Sequence, residues 1–304
     1  MSTLKEKILN SQYTEQDIHK LSKKYEEKLK TEGIKNGNLP LIRDFAHLLA
    51  YYKHDLDSAI LLLEKALTQQ RATREELAKC KLDLGDYLLM SGNVWDAALY
   101  YAQVDKEFKF DYLGEIAKFK TAKIHFYTGS FKLAKAMLDV LKGSTSKLIA
   151  NDALQLSLLI SDNSTVDTTT QPLKMYARAE LLLTQNKLDE AITVLDSITQ
   201  LFPYHSLTDE IYFIKYKAAV KRRNYREAEE YLNKIITEFP DDILTDDALF
   251  TLAELYENQL NNPEKAKETY KKLIFEHPDS VFAIEARKRY RMLRGDKLNE
   301  DDEI

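Results

Sequence analysis

The chain has 304 residues, enough for about two ordinary domains or for one long repeat array. Hydrophobic residues make up 44% of it and charged residues 31%, a balance typical of a folded protein rather than a disordered one. The net charge of −5 argues against a general nucleic-acid binder, which needs a broad basic surface. No run approaches the roughly 18 apolar residues of a membrane-spanning helix, so no integral membrane segment is expected.

The compartment is only weakly indicated by the sequence. The first residues, MSTLKEKILN, contain no apolar signal-peptide core, which predicts a cytoplasmic protein. A mature or truncated form of an exported chain would be periplasmic instead. The single cysteine, Cys80, excludes an internal disulfide and fits a reducing compartment. Compartment and oligomeric state therefore both stay open.

The first predicted element is an amphipathic helix over residues 14–32. Thr14 is a candidate N-cap, Asp17 lies in the first turn, and apolar residues recur at helical spacing. The apolar stripe consists of Ile18, Leu21, Tyr25 and Leu29. The stretch GIKNGNLP then ends the helix. We expect a cap on a helical array that follows, and the alternative is an arm that docks a partner.

An internal repeat dominates the rest of the chain. A small residue flanked by charges, followed four residues later by a large apolar one, recurs at steps of 38, 37, 57, 37 and 38 residues. We call these six positions the anchor alanines: Ala59, Ala97, Ala134, Ala191, Ala228 and Ala266. Only 8 glycines and 6 prolines occur, which also favours long helices.

Other residues recur with the anchor alanines. Small residues precede several of them by twelve or thirteen positions: Gly85, Ala122, Ala179 and Ala253. Prolines follow three of them by twelve positions: Pro203, Pro240 and Pro278. Paired small residues let two antiparallel helices approach closely, and a proline ends a helix. The pattern predicts helical hairpins, which must stack because one hairpin cannot bury its own apolar stripe.

These motifs resemble the tetratricopeptide repeat family. The segment LDLGDYLLMSGNVWDAALYYAQV (82–104) carries its Leu-Gly and Ala positions, and YARAELLLTQNKLDEAITVLDSITQLFP (176–203) matches through its final proline. The usual early Trp is missing from both. The family repeat is 34 residues long, whereas the ordinary steps in this chain are 37 or 38 residues. We place most of the additional residues after the proline, as an extra turn of the following helix. The longer phrasing, as in YKKLIFEHPDSVFAIEA (270–286), resembles envelope proteins of Gram-negative bacteria. The resemblance covers roughly residues 44–294.

The resemblance implies an all-α fold: an α-solenoid in which antiparallel helical hairpins form a right-handed superhelix. The predicted organisation is an N-terminal capping helix (1–35), a first set of repeats (36–142), an extra helix and polar loop (143–170), a second set of repeats (171–294) and an acidic mobile tail (295–304).

The long step of 57 residues equals one ordinary step plus about one helix with its loop. The segment SKLIANDALQLSLLI supplies a helix near 147–160, with an apolar stripe that we expect to be buried. That stripe consists of Leu148, Ala153, Leu156, Leu159 and Ile160. Three interpretations remain: an inserted helix that packs as an ordinary member, a boundary between two sub-arrays, or a ligand-binding loop.

The sequence contains no motif for catalysis, a metal or another cofactor. None of the six histidines belongs to an HExxH motif. His47 and His54 lie seven residues apart, and with Asp57 they form a weak metal candidate against the simpler interpretation of exposed histidines. The sequence therefore predicts a protein that is not an enzyme.

The resemblance places a candidate interaction surface on the first helix of each repeat. Four aromatic residues fall three positions before the small residue or its equivalent: Phe119, Tyr176, Phe213 and Phe250. Four lysines share these helices: Lys120, Lys123, Lys217 and Lys221. They predict a concave face that grips a peptide or helix, and the alternative is that the aromatics fill gaps between helices. Acidic residues at Asp86, Glu180 and Glu254 argue against the carboxylate clamp of chaperone-binding repeats.

A basic patch forms a second candidate: Arg287, Arg291 and Arg294. It predicts docking of an acidic partner, and the alternative is that these charges complement a helix C-terminus. The leading functional hypothesis is a non-catalytic scaffold that binds a protein or peptide, in the setting of bacterial envelope assembly. The alternative is a structural homo-oligomer that self-associates through the repeat array.

Overall fold

The computed structural model describes residues 13–34, 37–68, 72–164, 169–203 and 205–296, and over these the fold is all-α without strands. The chain forms two compact units, Met1–His125 and Phe126–Ile304. The domain limits proposed from the sequence remain predictions. Of the predicted capping segment, loop and acidic tail, residues 1–12, 35–36, 165–168 and 297–304 lie outside the described residues.

Unit 1 contains α1 (Glu15–Glu32), α2 (Leu39–His47), α3 (Leu56–Leu67), α4 (Arg74–Ser91), α5 (Val94–Glu107) and most of α6 (Tyr112–Tyr127). Helix α2 continues into one π-helical turn, Leu48–Tyr52. Unit 2 contains α7 (Phe131–Leu141), α8 (Lys147–Asp162), α9 (Gln171–Thr184), α10 (Leu188–Leu201), α11 (Thr208–Lys221), α12 (Tyr225–Glu238), α13 (Thr245–Asn258), α14 (Pro263–Glu276) and α15 (Ala283–Arg294). None of the described helices is long and apolar enough to cross a membrane.

Helix α1 begins where the sequence predicts. The Thr14 hydroxyl accepts a hydrogen bond from the Asp17 amide at 3.3 Å, and the Asp17 carboxylate accepts one from the Thr14 amide at 3.1 Å. This reciprocal pair satisfies two of the amides that a helix N-terminus leaves without partners. Tyr25 of α1 stacks on Phe45 of α2 with ring centroids 5.3 Å apart, so α1 packs on the first hairpin.

Each anchor alanine lies at the contact between the two helices of a hairpin. All six have no exposed surface. Five residues before each of them, the turn between the helices contains a residue with positive φ: His54, Gly92, Gly129, Asn186, Arg223 and Asn261. A left-handed residue reverses the chain tightly at the end of the first helix. Within the two units the anchor alanines therefore mark five hairpins: α2–α3, α4–α5, α9–α10, α11–α12 and α13–α14; the sixth, Ala134, lies on α7.

The residues by which the repeat around Pro240 exceeds the 34-residue family repeat form a turn between helices. After Pro240 the chain makes a turn that ends at the buried Leu244, and α13 begins at Thr245. The Thr245 hydroxyl donates to the Phe239 carbonyl and fixes this turn. The prediction of an extra helical turn was wrong, because the added residues bury Leu244 and make side-chain hydrogen bonds before the helix starts.

The extra helix predicted near 147–160 is α8. Its Ser157 hydroxyl donates to Asp139 of α7 at 3.0 Å. Ala153, Leu159 and Ile160 are buried as predicted, whereas Leu148 is 54% exposed, because its position near the helix start turns it away from the packed side.

The close approach at Gly85 gives a test of the hairpin geometry. A Cβ atom on this α4 residue would lie 2.4 Å from Cε1 of Tyr101, a fully buried residue on α5. We expect Gly85→Ala to lower the free energy of unfolding by about 1–2 kcal/mol, since overpacking outweighs the better helix propensity of alanine. Urea denaturation of the variant measures the difference.

Gly143→Ala is the matched control. Gly143 lies in a turn, has no left-handed φ, and its nearest contact would be 3.8 Å away. This variant should differ from wild type by less than about 0.5 kcal/mol. Equal stability of the two variants would contradict the close helix contact.

Candidate protein-interaction surface

In unit 1 the predicted lysine on α6 forms an ion pair with a carboxylate on another helix. Lys120 Nζ lies 2.7 and 2.9 Å from the two carboxylate oxygens of Asp86 on α4. The Tyr101 hydroxyl donates to the same carboxylate at 2.6 Å. Lys120 therefore neutralises an internal carboxylate, which leaves it less able to attract an acidic ligand. Phe119 and Lys123, on the same helix, are both half-buried.

In unit 2 the predicted aromatic on α9 belongs to the core. Tyr176 is only 6% exposed, and its ring centroid lies 6.3 Å from that of Phe126. Burial, together with the nearby carboxylates of Glu180, Glu210 and Asp209, raises the pKa of Tyr176 well above its usual value. The side chain thus fills space between helices and presents little surface to a partner.

The aromatic residue on α11 is paired with a cation. Lys217 is exposed, and its Nζ lies 4.4 Å from the ring centroid of the half-buried Phe213. A cation over an aromatic face is attracted by the ring quadrupole. One turn further along, Lys221 donates to the Leu183 carbonyl of α9 at 2.8 Å. Lys221 thus ties α11 to the preceding hairpin, whereas Lys217 faces outward.

The aromatic residue on α13 packs against the next repeat. Phe250 stacks on Phe282 with ring centroids 4.7 Å apart and lies 5.9 Å from Tyr270 of α14. It is half-buried, so part of its surface fills the gap between hairpins, as the alternative interpretation expects.

The exposed Lys217 and half-buried side chains of α11 and α13 form one surface within unit 2. On each helix the side chains follow each other at three- or four-residue spacing, and the charge of Lys217 acts on Asp247 across the two helices. We call this surface the first-helix face, and it comprises Phe213, Lys217, Asp247, Phe250 and Glu254.

Helix α8 lies against the beginning of this face. Gln155 Nε2 donates to Asp247 Oδ2 on α13 at 2.6 Å, a contact between residues 92 positions apart. Near the end of α8, Asn163 Oδ1 accepts a hydrogen bond from the hydroxyl of Ser206, just before α11, at 2.7 Å. Helix α8 therefore passes the first turns of both α11 and α13.

Those first turns carry acidic residues at equivalent positions. Asp209 and Glu210 open α11, and Asp246 and Asp247 open α13, 37 residues later. Acidic side chains complement the partial positive charge of a helix N-terminus. Asp209 is only 2% exposed, however, and within the described structure Asp209 Oδ2 and Glu210 Oε2 have no hydrogen-bond partner.

Burial shifts the protonation of these carboxyls. It is the main reason that the pKa of Asp209 is raised to about 6 and that of Glu210 well above its usual range. Burial, with the charges of Asp246 and Asp152, raises the pKa of Asp247 to about 7, against the opposing hydrogen bond from Gln155. Each of these carboxyls therefore keeps its proton to a higher pH than an exposed carboxyl does.

The sequence did contain a sign of this cluster. The tripeptides TDE (208–210) and TDD (245–247) recur 37 residues apart, at the same point of two repeats. Acidic pairs at a helix start are common on exposed surfaces, so the repetition alone does not reveal their burial. Burial depends on the packing of elements that are distant in the sequence, which no local pattern encodes.

The predicted basic patch on α15 is partly neutralised. Arg287 is exposed, whereas Arg294 Nε donates to Asp296 at 3.0 Å and Arg291 Nε lies 3.9 Å from the same carboxylate. Both paired arginines lie in the last turn of α15, where positive charge complements the helix C-terminus.

The structure also bears on the single cysteine and on a possible metal site. Cys80 is fully buried, and burial raises the pKa of its thiol to about 12, so the thiolate that nucleophilic chemistry needs is scarce at neutral pH. Among the residues that the structure describes, no group of three or more His, Cys, Asp or Glu side chains is arranged to hold a metal ion.

Comparison with known proteins agrees with this architecture. Residues 247–280, which hold most of α13 and all of α14, match the family model of the tetratricopeptide repeat. This part of the chain is a tetratricopeptide repeat, and the rest of the chain resembles it in its helical hairpins. Repeats of this family generally mediate protein–protein interactions, and the fold is typically a non-enzymatic scaffold. None of the curated proteins matches this repeat protein significantly.

Three of the solved structures to which the chain is similar are described as tetratricopeptide repeat proteins or domains. One from Parabacteroides merdae is 15% identical, with a TM-score of 0.32, and the alignment covers 87% of this chain and 95% of that one. The C-terminal part of a repeat-containing protein from Cytophaga hutchinsonii is 15% identical, with a TM-score of 0.33 and coverages of 89% and 94%. The repeat domain of P58(IPK) is 17% identical, with a TM-score of 0.32 and coverages of 95% and 72%. At these TM-scores the alignments carry no argument about partners.

The buried carboxyls predict a pH-dependent stability. A carboxyl whose pKa is raised on folding binds more protons in the folded state, so stability falls as pH rises from about 4 to the folded pKa. For Asp209 this window ends at about 6 and for Asp247 at about 7. We expect the free energy of unfolding to fall by roughly 1–3 kcal/mol between about pH 5 and pH 8. Glu210→Gln should reduce this fall by at least about 1 kcal/mol.

Urea denaturation at both pH values measures the effect. Glu190→Gln, which alters an exposed carboxyl on α10, is the control and should keep the wild-type fall. If Glu210→Gln and Glu190→Gln lose the same stability with rising pH, the buried position of Glu210 is contradicted.

Proposed function

We propose that the protein is a non-catalytic interaction scaffold whose unit 2 binds a segment of a partner protein on the first-helix face. The observation that carries this proposal is the position of α8. Gln155 of this helix bonds to α13, and Asn163, which follows the helix, bonds to Ser206 just before α11. The face therefore accommodates a helical segment at its beginning. Beyond the contact of Gln155, Lys217 stays exposed over Phe213.

Lys217 and Phe213 are the contacts that we assign to the partner. An exposed lysine over an aromatic ring offers both a charge and an apolar surface, a combination common in peptide grooves. Phe250 contributes the surface that its stacking on Phe282 leaves open. Of the other residues predicted from the sequence, Lys120 and Tyr176 support the fold.

The remaining expectations concern the setting of the protein. A role in bacterial envelope assembly, the alternative of self-association, and docking of an acidic partner at Arg287 remain predictions of the sequence and its family resemblance. The binding proposal for unit 2 does not depend on any of them.

A pull-down from lysate of the native host tests the proposed face. We expect Lys217→Ala to lower recovery of the wild-type partner by about tenfold, which corresponds to roughly 1.4 kcal/mol for a partly desolvated cation contact. Phe213→Ala should lower it at least as much. Quantitative mass spectrometry of the bound proteins measures recovery.

Leu201→Ala is the control for this pull-down. Leu201 is 66% exposed and lies at the end of α10, a second helix away from the first-helix face. Because Phe213 packs partly on the core, thermal denaturation must show that its variant is folded. Unchanged recovery with Lys217→Ala and folded Phe213→Ala would contradict the proposed face.

A further inference from the structure

The outer side of α5, in unit 1, is apolar although it faces solvent. The inner side of this helix is buried through Ala97, Tyr101 and Val104. On the opposite side Trp95 is 65% exposed and Leu99 is 59% exposed, and the exposed Ala102 follows them at helical spacing. A surface helix is usually polar on the side turned away from the core. Helix α5 thus has two apolar sides, and the core covers only one of them.

The other repeats provide an internal comparison for Trp95. This residue lies two positions before its anchor alanine, a position that is exposed in all six repeats. In the five other repeats the residue at this position is charged: Asp57, Lys132, Asp189, Arg226 and Glu264. The geometry of the repeat therefore turns this position to solvent, and Trp95 alone among the six equivalents is apolar.

Leu99 lies two positions after the same anchor alanine, and this position is also exposed in every repeat. The equivalent residue of α3, Leu61, is 51% exposed. The equivalents on the second helices of unit 2 are polar or charged: Thr193, Glu230 and Glu268. Exposed leucines at this position are thus confined to the two hairpins of unit 1.

Leu61 and α5 belong to one surface, because successive hairpins stack with equivalent positions side by side. We call this surface the outer patch, and it comprises Leu61, Trp95, Leu99 and Ala102. A contiguous exposed apolar patch on a soluble protein commonly marks an interaction site. Tryptophan is also among the residues that contribute most to binding energy at interfaces.

The charges on α5 are arranged so that the helix complements a copy of itself. Asp96 lies in the first turn and Lys106 in the last turn, and both are exposed. Within the described structure neither side chain forms an ion pair. Ten residues of helix separate them by about 15 Å. If two copies of α5 pack antiparallel, Asp96 of each copy lies level with Lys106 of the other, and two-fold symmetry forms this pair twice.

We propose that the outer patch is a self-association surface, on which a second copy of this chain packs with the two α5 helices antiparallel. Ala102 lies next to the midpoint between Asp96 and Lys106, so a small side chain occupies the point where the two helices approach most closely. Trp95 then packs over the end of the other copy's α5. This inference goes beyond the proposed binding face of unit 2 and does not depend on it.

The size of the outer patch sets the strength of this dimer. Its exposed apolar surface amounts to roughly a few hundred Å² per copy, below the ~800 Å² per partner of a standard stable interface. We therefore expect a weak, reversible dimer with a Kd of about 10–100 μM.

Sedimentation equilibrium of the full-length protein between about 1 and about 300 μM tests the surface. The average mass of wild type should rise with concentration from the monomer value of 35.3 kDa toward twice that value. Trp95→Ala should weaken association at least about tenfold, as expected for a central tryptophan. The matched control is Phe275→Ala, which removes an aromatic ring that is 73% exposed on α14 and should leave the Kd unchanged.

A charge exchange tests the antiparallel arrangement. Asp96→Lys and Lys106→Glu each place like charges opposite one another in both contacts, so each variant alone should associate at least about tenfold more weakly at low salt. In an equimolar mixture of the two variants, both contacts of a mixed dimer join opposite charges, and its Kd should return to within about threefold of wild type. Glu230→Lys makes the same charge change on α12 and is the control, which should associate like wild type. Thermal denaturation shows that each variant is folded.

Three results would overturn the inference: a wild-type protein that stays monomeric over the whole range, association that is unchanged by Trp95→Ala, or a mixture that does not recover. A mass above that of two copies would also contradict it, because a two-fold surface closes at the dimer. None of these results changes the expected effect of Lys217→Ala in the pull-down, which tests unit 2.

Discussion

The contact between two helices at an anchor alanine is the constraint on which each hairpin depends. All six alanines are fully buried, and each follows a left-handed turn residue by five positions. A larger side chain at this contact would force the helices apart, and interiors at native packing density have no room to absorb that. The positions of the first helices, and so of Phe213, Lys217 and Asp247, follow from this repeated contact.

Carboxyl groups on the first helices have different surroundings in the two units. In unit 1 the carboxylate of Asp86 is neutralised by Lys120 and by the hydroxyl of Tyr101. In unit 2 one carboxyl oxygen each of Asp209 and Glu210 has no hydrogen-bond partner in the described structure, and burial raises the pKa of both groups. The first arrangement stabilises the fold through a formed ion pair. The second lowers stability as the pH rises toward the raised pKa values of these carboxyls.

The sequence predicted the local features of this fold well. Three predicted features depend on nearby residues and agree with the structure: the regular spacing of the anchor alanines, the N-cap at Thr14 and the existence of α8. It did not predict the partners of the charged side chains. Lys120 bonds to Asp86, 34 residues away in the sequence, and Gln155 bonds to Asp247, 92 residues away. No periodicity of the sequence encodes such contacts. Tyr176 has the same repeat position as Phe213, but its neighbours on adjacent helices bury it.

The central claim is that α8 is bound to α13 through Gln155 and Asp247, and a double-mutant cycle tests it most directly. Gln155→Ala, Asp247→Ala and the double variant are compared with wild type by urea denaturation near neutral pH. A direct hydrogen bond predicts a coupling free energy of about 0.5–1.5 kcal/mol between the two sites. Additive effects, with no coupling outside error, would contradict the contact and with it the position of α8 on the first-helix face.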